Sequence, residues 1–145
     1  MAFTSNDFDK TKASLAVTLP EKLLHANVRE TGQRAGFSAE RRHGVAVVDL
    51  PTKTLSMTLG ELEPGQSTNR HRHNYETVLF ILEGAGHTLV EDRKVAWKKG
   101  DAVYVPVWAW HHHVNEDLGR PASYLACENA PLLQNLGGIA LREEH

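Results

Sequence analysis

The sequence predicts an all-β domain, a sandwich or barrel of short strands, on three observations. From Val45 onward, apolar and polar residues alternate over short runs, as in half-buried strands. Gly and Pro interrupt these runs at close spacing, at Pro51, Pro64, Gly65, Gly84, Gly100 and Pro106. No helical stretch long enough to make a βαβ unit separates them.

The elements follow in order. Residues 1–44 are expected to form an N-terminal arm and short helix, and residues 45–145 a barrel with a C-terminal extension. Residues 1–14 are polar and read as the arm. Pro20 to Gly36 reads as the helix, with Pro20 at its start and Leu23, Leu24, Ala26 and Val28 partly apolar. Val45–Leu50 is a strand ending at Pro51, and Thr54–Leu62 alternates Leu55, Met57 and Leu59 with Ser and Thr. Glu63-Pro64-Gly65 has turn chemistry. His71–Leu82 reads as one long strand closed by Glu83-Gly84. His87–Glu91 and Arg93–Trp97 flank Asp92 as a tight hairpin. Lys98 to Asp101 turns the chain into Ala102–Pro106, and His111–Asn115 and Ser123–Glu128 complete the series.

Composition excludes several classes. The 145 residues are enough for one buried core without staples. Net charge is −2 with both signs interspersed, which leaves no nucleic-acid footprint and no polybasic membrane patch. Cys127 is the only cysteine, so there is no intrachain disulfide framework, and a reducing compartment fits. No apolar run approaches the ~20 residues of a membrane span. Met1 to Lys10 lacks the pattern of a secretory signal. The expectation is a cytoplasmic protein with no nucleic-acid or membrane partner. A homodimer is expected, because small barrels expose sheet edges that a polar arm could cover.

Chemistry concentrates in three imidazoles. The chain reads Gly65-x5-His71-x-His73-x10-Gly84 and then Gly100-x5-Pro106-x4-His111-x3-Asn115. Alternate residues of a strand share a face, so His71 and His73 point to one spot, where His111 from a neighbouring strand can join them. A lone His-x-His pair is commonplace on a solvated strand; the paired glycine punctuation gives this one its weight. Three imidazoles suit Fe, Zn, Cu or Ni and leave an open face for substrate or oxygen.

These two stretches resemble the motifs of the cupins, jelly-roll barrels that often hold a metal. The first cupin motif is Gly-x5-His-x-His-x3-Glu-x6-Gly, matched here at Gly65, His71, His73 and Gly84. The second is Gly-x5-Pro-x-Gly-x2-His-x3-Asn, matched at Gly100, Pro106, His111 and Asn115. The resemblance implies an all-β, double-stranded β-helix barrel and covers roughly residues 55 to 128. Two positions depart from it. Thr77 occupies the glutamate position, with Glu76 beside it on the opposite face unless a bulge turns it inward. Trp108 stands where the second motif has glycine.

The departures narrow the likeness to gentisate 1,2-dioxygenases and related ring-cleaving cupins. His71-Arg72-His73, Trp110-His111 and the absent glutamate all fit that pattern. Family members usually carry two such domains, and one is matched here. The resemblance implies one divalent metal on His71, His73 and His111, with Fe(II) favoured and Zn, Ni, Mn or Cu also accommodated by imidazole. It implies O₂ and a small oxygenated substrate, such as a hydroxylated aromatic acid or a diketone, and an acid/base or hydrogen-bonding role for His113. Tyr75 and Thr77 share the inward parity of the ligands and are candidate substrate contacts, as are Trp108 and Trp110 at a cavity mouth. His25, His43, His87 and His145 have no ligand spacing and are assigned no role. Two other functions fit the same site: a metal-dependent lyase or isomerase of a small carbonyl acid, and a non-catalytic ligand-binding module. Oxygen consumption with substrate separates the first reading from the lyase or isomerase, and loss of metal without loss of biological effect would favour the binding module.

Overall fold

The computed structural model describes residues 17–145, so the arm expected over residues 1–14 lies outside the described residues. Among the described residues the first elements are α1 (Val28–Thr31) and α2 (Ala35–Arg41). Strands β1 (Gly44–Val48), β2 (Ser56–Leu62), β3 (His71–His73), β4 (Thr77–Glu83) and β5 (Ala85–Val90) follow. Then come β6 (Arg93–Lys98), β7 (Ala102–Val105), β8 (His111–Val114) and β9 (Ala122–Glu128), and finally α3 (Ala130–Gly137) and β10 (Arg142–Glu144).

The strands form two five-stranded sheets in the orders β1-β2-β9-β4-β7 and β10-β3-β8-β5-β6. This corrects the expected closed all-β barrel. Among the described residues no ladder joins the edge strands of one sheet to those of the other, so the two sheets are open, and helices accompany them at both ends. Closure would need hydrogen bonds from edge to edge. At β1 those groups go elsewhere: the α1–α2 linker runs alongside, Gln33 bridges Ala46, and Val47 N–H donates to the Gly32 carbonyl at 2.8 Å.

Inner faces meet in a core of Leu62, Leu79, Ile81, Val103, Ala122, Tyr124 and Ala126 from the first sheet, with Trp97 from the second. Strand β4 alternates as its sequence requires: Thr77, Leu79 and Ile81 are buried, whereas Val78 and Phe80 face out. The Trp97 indole N–H reaches the Thr88 hydroxyl at 3.0 Å, so the largest core ring leaves no polar atom stranded.

Three further expectations change. The helix read over Pro20–Gly36 is reduced to the single turn α1, because Leu23 and Leu24 are 75% and 77% exposed and give a longer helix nothing to pack on. The long strand read over His71–Leu82 is two strands in different sheets. Between them Asn74 donates to the Ile139 carbonyl at 2.7 Å and accepts from Leu141 N–H at 2.8 Å, which fixes the corner. Beyond the last expected strand lie α3, with Pro near its start and Gly138 in a left-handed cap, and β10, paired to β3. No helix among the described residues is long and apolar enough to cross a membrane.

Candidate metal centre

Strand pairing assembles the three histidines. His71 on β3 lies directly opposite His111 on β8, and His73 follows two residues on, on the same face. Their ring centroids are 4.2 Å (His71–His111), 4.8 Å (His73–His111) and 5.9 Å (His71–His73) apart. One nitrogen from each falls within 4.8 Å of the others, so the group could hold a single ion with small adjustments of the rings. Among the described residues these three form the one group of at least three metal-binding side chains.

The other ring nitrogens explain why these face inward. His71 Nδ1 lies 2.7 Å from the Asn69 carbonyl, His73 Nδ1 2.8 Å from the Tyr75 carbonyl, and His111 Nδ1 2.9 Å from the Ala109 carbonyl. A carbonyl can only accept, so each Nδ1 carries the proton and each Nε2 keeps its lone pair for a metal. Burial holds all three neutral. It depresses His71 to about 2, helped by the neighbouring His111, and His111 to about 4; it also lowers His73. Proton competition for these nitrogens therefore begins well below the usual histidine value of about 6.5.

His113 is fully enclosed, and desolvation keeps its ring neutral. Its Nδ1 is 2.9 Å from the Thr88 hydroxyl, which already accepts the Trp97 N–H. The Thr88 proton is satisfied when it donates to Nδ1, and this places the His113 proton on Nε2.

A cavity of about 90 Å³ opens beside the cluster, lined on one side by His71, His73, His111 and His113. Thr58, Gly60, Thr77, Leu79, Tyr124, Ala126 and Glu128 line the other side, with Arg41 and Arg142 among the remaining walls. This size suits a small molecule. Gly60 is required where it stands, since a Cβ there would come within 2.1 Å of the Tyr124 ring. Tyr75 stacks on His73 with centroids 4.0 Å apart, and burial pushes its phenol up to about 12. The Thr77 hydroxyl donates to Glu128 at 2.9 Å and lies 3.5 Å from His73 Nε2. Burial raises the Glu128 carboxyl above its ordinary value.

Of the residues singled out in the sequence, His71, His73, His111, His113, Tyr75 and Thr77 all line the cavity. Trp108 and Trp110 do not. They stand against the Arg72 guanidinium, at 4.3 and 4.6 Å, on the opposite side of β3. Trp108 also carries the left-handed backbone that its motif position demands (φ 65°), and its N–H donates to the His73 carbonyl at 2.8 Å. Glu76 is exposed and accepts from the Tyr104 hydroxyl at 2.8 Å, so no bulge turns it toward the metal site.

Sequence reasoning missed Glu128, Tyr124, Arg41, Arg142 and His43. His43 Nδ1 donates to the Arg41 carbonyl at 3.0 Å, and its Nε2 takes the Tyr124 hydroxyl proton at 3.0 Å. No local spacing marks these groups.

Comparison with known proteins gives a consistent result. Residues 58–127 match the family model described as Cupin domain. Over 84 residues the chain is 38% identical to the 5-aminosalicylate 1,2-dioxygenase of Comamonas sp, an alignment covering 58% of this chain and 22% of that protein. It is 34% identical over 121 residues to a gentisate 1,2-dioxygenase of Ralstonia sp, covering 80% of this chain and 34% of that protein. The chain thus spans about a third or less of these two relatives. The salicylate 1,2-dioxygenase of Pseudaminobacter salicylatoxidans superposes with a TM-score of 0.68 at 23% identity, covering 81% of this chain and 35% of that one. That last likeness is one of fold.

Proposed function

We propose that this chain, whose residues 58–127 match the Cupin domain model and which resembles the three-histidine ring-cleaving dioxygenases, is an Fe(II)-dependent dioxygenase acting on a hydroxylated aromatic acid with O₂. The observation that carries this reading is the ligand set: three neutral imidazoles and, among the described residues, no carboxylate in the group. A divalent metal held by His71, His73 and His111 would keep its full charge, and would supply a Lewis-acidic site suited to an anionic chelating acid and to oxygen.

The protein groups have distinct tasks in this proposal. His71, His73 and His111 hold the metal, each aimed by a main-chain carbonyl. His113 offers an Nε2 proton to a substrate oxygen and stabilises charge developing there. Tyr75 and Thr77 border the substrate, while Leu79 and Ala126 keep that wall dry. Trp108 and Trp110 would act on substrate only through Arg72, since neither lines the cavity.

An oxygen electrode tests the reading. Protein reconstituted anaerobically with Fe(II) should consume one O₂ per molecule of a phenolic acid such as gentisate, with no added reductant, because the substrate supplies the electrons. Turnover under strict anaerobiosis would move the protein to the lyase or isomerase class.

A further inference from the structure

Strand β10 lies outside the two histidine motifs, yet it pairs with the ligand-bearing strand. Its register sets Arg142 opposite His73 and Glu144 opposite His71. Directly opposed residues of an antiparallel pair share a face, so both lie on the histidine-bearing side of the sheet; Arg142 lines the cavity, and the more exposed Glu144 also accepts from Asn69 Nδ2 at 3.3 Å. Glu143, between them, points outward and pairs with Arg72 at 2.8 Å, which locks the register. Helix α2 brings a second guanidinium, that of Arg41, to the same cavity.

The two guanidiniums share one acceptor. Arg142 hydrogen-bonds Glu144 Oε1, and Arg41 Nη1 lies 3.8 Å from that same oxygen. The Arg41 and Arg142 side chains are only 20% and 22% exposed. Each guanidinium has five N–H donors. Among the described residues, the Arg142 bond to Glu144 is the one hydrogen bond that either guanidinium donates. Two largely enclosed forks with most donors unspent, beside a neutral metal-binding cluster, suit a planar carboxylate.

We propose that Arg41 and Arg142 form a carboxylate-binding subsite whose resident occupant is Glu144, and that an acid entering the cavity takes the place of Glu144. The proposal rests on the reading of the site as one for aromatic acids, and it assigns the acid group to β10 and α2. Binding is then a competition between an internal and an external carboxylate, and β10 sets the affinity.

Anaerobic calorimetry on the Fe(II)-loaded protein tests this with 2-hydroxybenzoate and its uncharged counterpart 2-hydroxybenzamide. Glu144→Gln should tighten the acid on the order of tenfold, as removal of a competitor worth about one charge-assisted hydrogen bond. Arg142→Gln should weaken the acid by roughly 10- to 100-fold. Neither change should move the amide appreciably. Glu143→Gln controls for loosening of the strand, since it breaks the outward pair and leaves the subsite alone; the acid-to-amide ratio should hold. Unchanged acid affinity in Glu144→Gln would overturn the proposal, as would equal losses for acid and amide in Arg142→Gln, a Glu143→Gln effect matching that of Arg142→Gln, or no acid binding by the parent protein. Should Glu144→Gln unfold, Glu144→Asp, one methylene shorter, must shift the acid in the same direction. Oxygen uptake is read separately, so failure of the dioxygenase reading leaves this result interpretable.

Discussion

The cavity wall built by β3 and β8 differs from the wall facing it in how its buried polar groups are satisfied. On the first, every ligand imidazole hands its outer proton to a main-chain carbonyl two residues away. On the second, side chains satisfy one another across the fold: Thr77 serves Glu128 and Tyr124 serves His43. Local satisfaction needs little from the rest of the fold, whereas mutual satisfaction fails when either partner is removed. The first wall is therefore expected to govern metal and rate, and the second stability and shape.

The largest effect that could break this division is at a ligand. His73→Ala should reduce bound Fe(II) to a small fraction of an equivalent and activity by at least ~10³-fold, as judged by metal analysis beside oxygen uptake. Stoichiometric metal in this variant would remove the ligand assignment. Next comes His113→Ala, which should keep the metal and lose rate by about 10²–10⁴-fold. Wild-type turnover there would return His113 to a purely structural role.

Acid sharpens the comparison, because the walls respond with opposite sign. Unfolded imidazoles titrate near 6.5, whereas folding lowers His111 to about 4 and His71 to about 2. Below pH 6.5 the unfolded chain binds protons that the folded chain refuses, so stability falls with pH. The loss is about 1.4 kcal/mol per pH unit for each such histidine, and it ends for each at its folded value. Glu128 works the other way, since its raised folded value lets the native chain hold a proton that the unfolded chain releases. One carboxyl does not offset several imidazoles. The metal-free protein should show a lower urea midpoint at about pH 5 than at about pH 7; equal midpoints would mean that the histidine wall is not desolvated.

The smallest effect is on the facing wall. Thr77→Val keeps the shape but strips the Glu128 carboxyl of its partner, and should cost about 1–3 kcal/mol in urea unfolding with metal content unchanged. A loss of metal instead would tie Thr77 to the ligand shell.

The same contrast decides what could be read from the residues alone. His71, His73 and His111 sit in two short stretches where strand parity and glycine spacing are local signals. Glu128 meets Thr77 across 51 positions and Tyr124 meets His43 across 81, so those pairs exist only after the strands have found their register. The division of His71–Leu82 into two strands was hidden because the two-residue period continues across the corner: Tyr75 and Thr77 are buried on either side of exposed Glu76. Open sheets in place of a barrel follow from which edge groups the α1–α2 linker captures, and the strand pattern carries no mark of that. Helix α3 did carry a mark, Pro131 near its start and Gly137-Gly138 at its end, but it followed a run of strands and lacked a long apolar stripe.

The three carbonyls of Asn69, Tyr75 and Ala109 belong to the main chain, and no amino-acid replacement can delete a main-chain oxygen. Genetic drift can rewrite the facing wall and the arginine elements while the aim of the imidazoles stays encoded in the backbone path. On the proposed function, descendants of such a chain can exchange one organic acid for another without rebuilding the metal half of the site, because metal affinity and acid preference would be carried by different kinds of atoms.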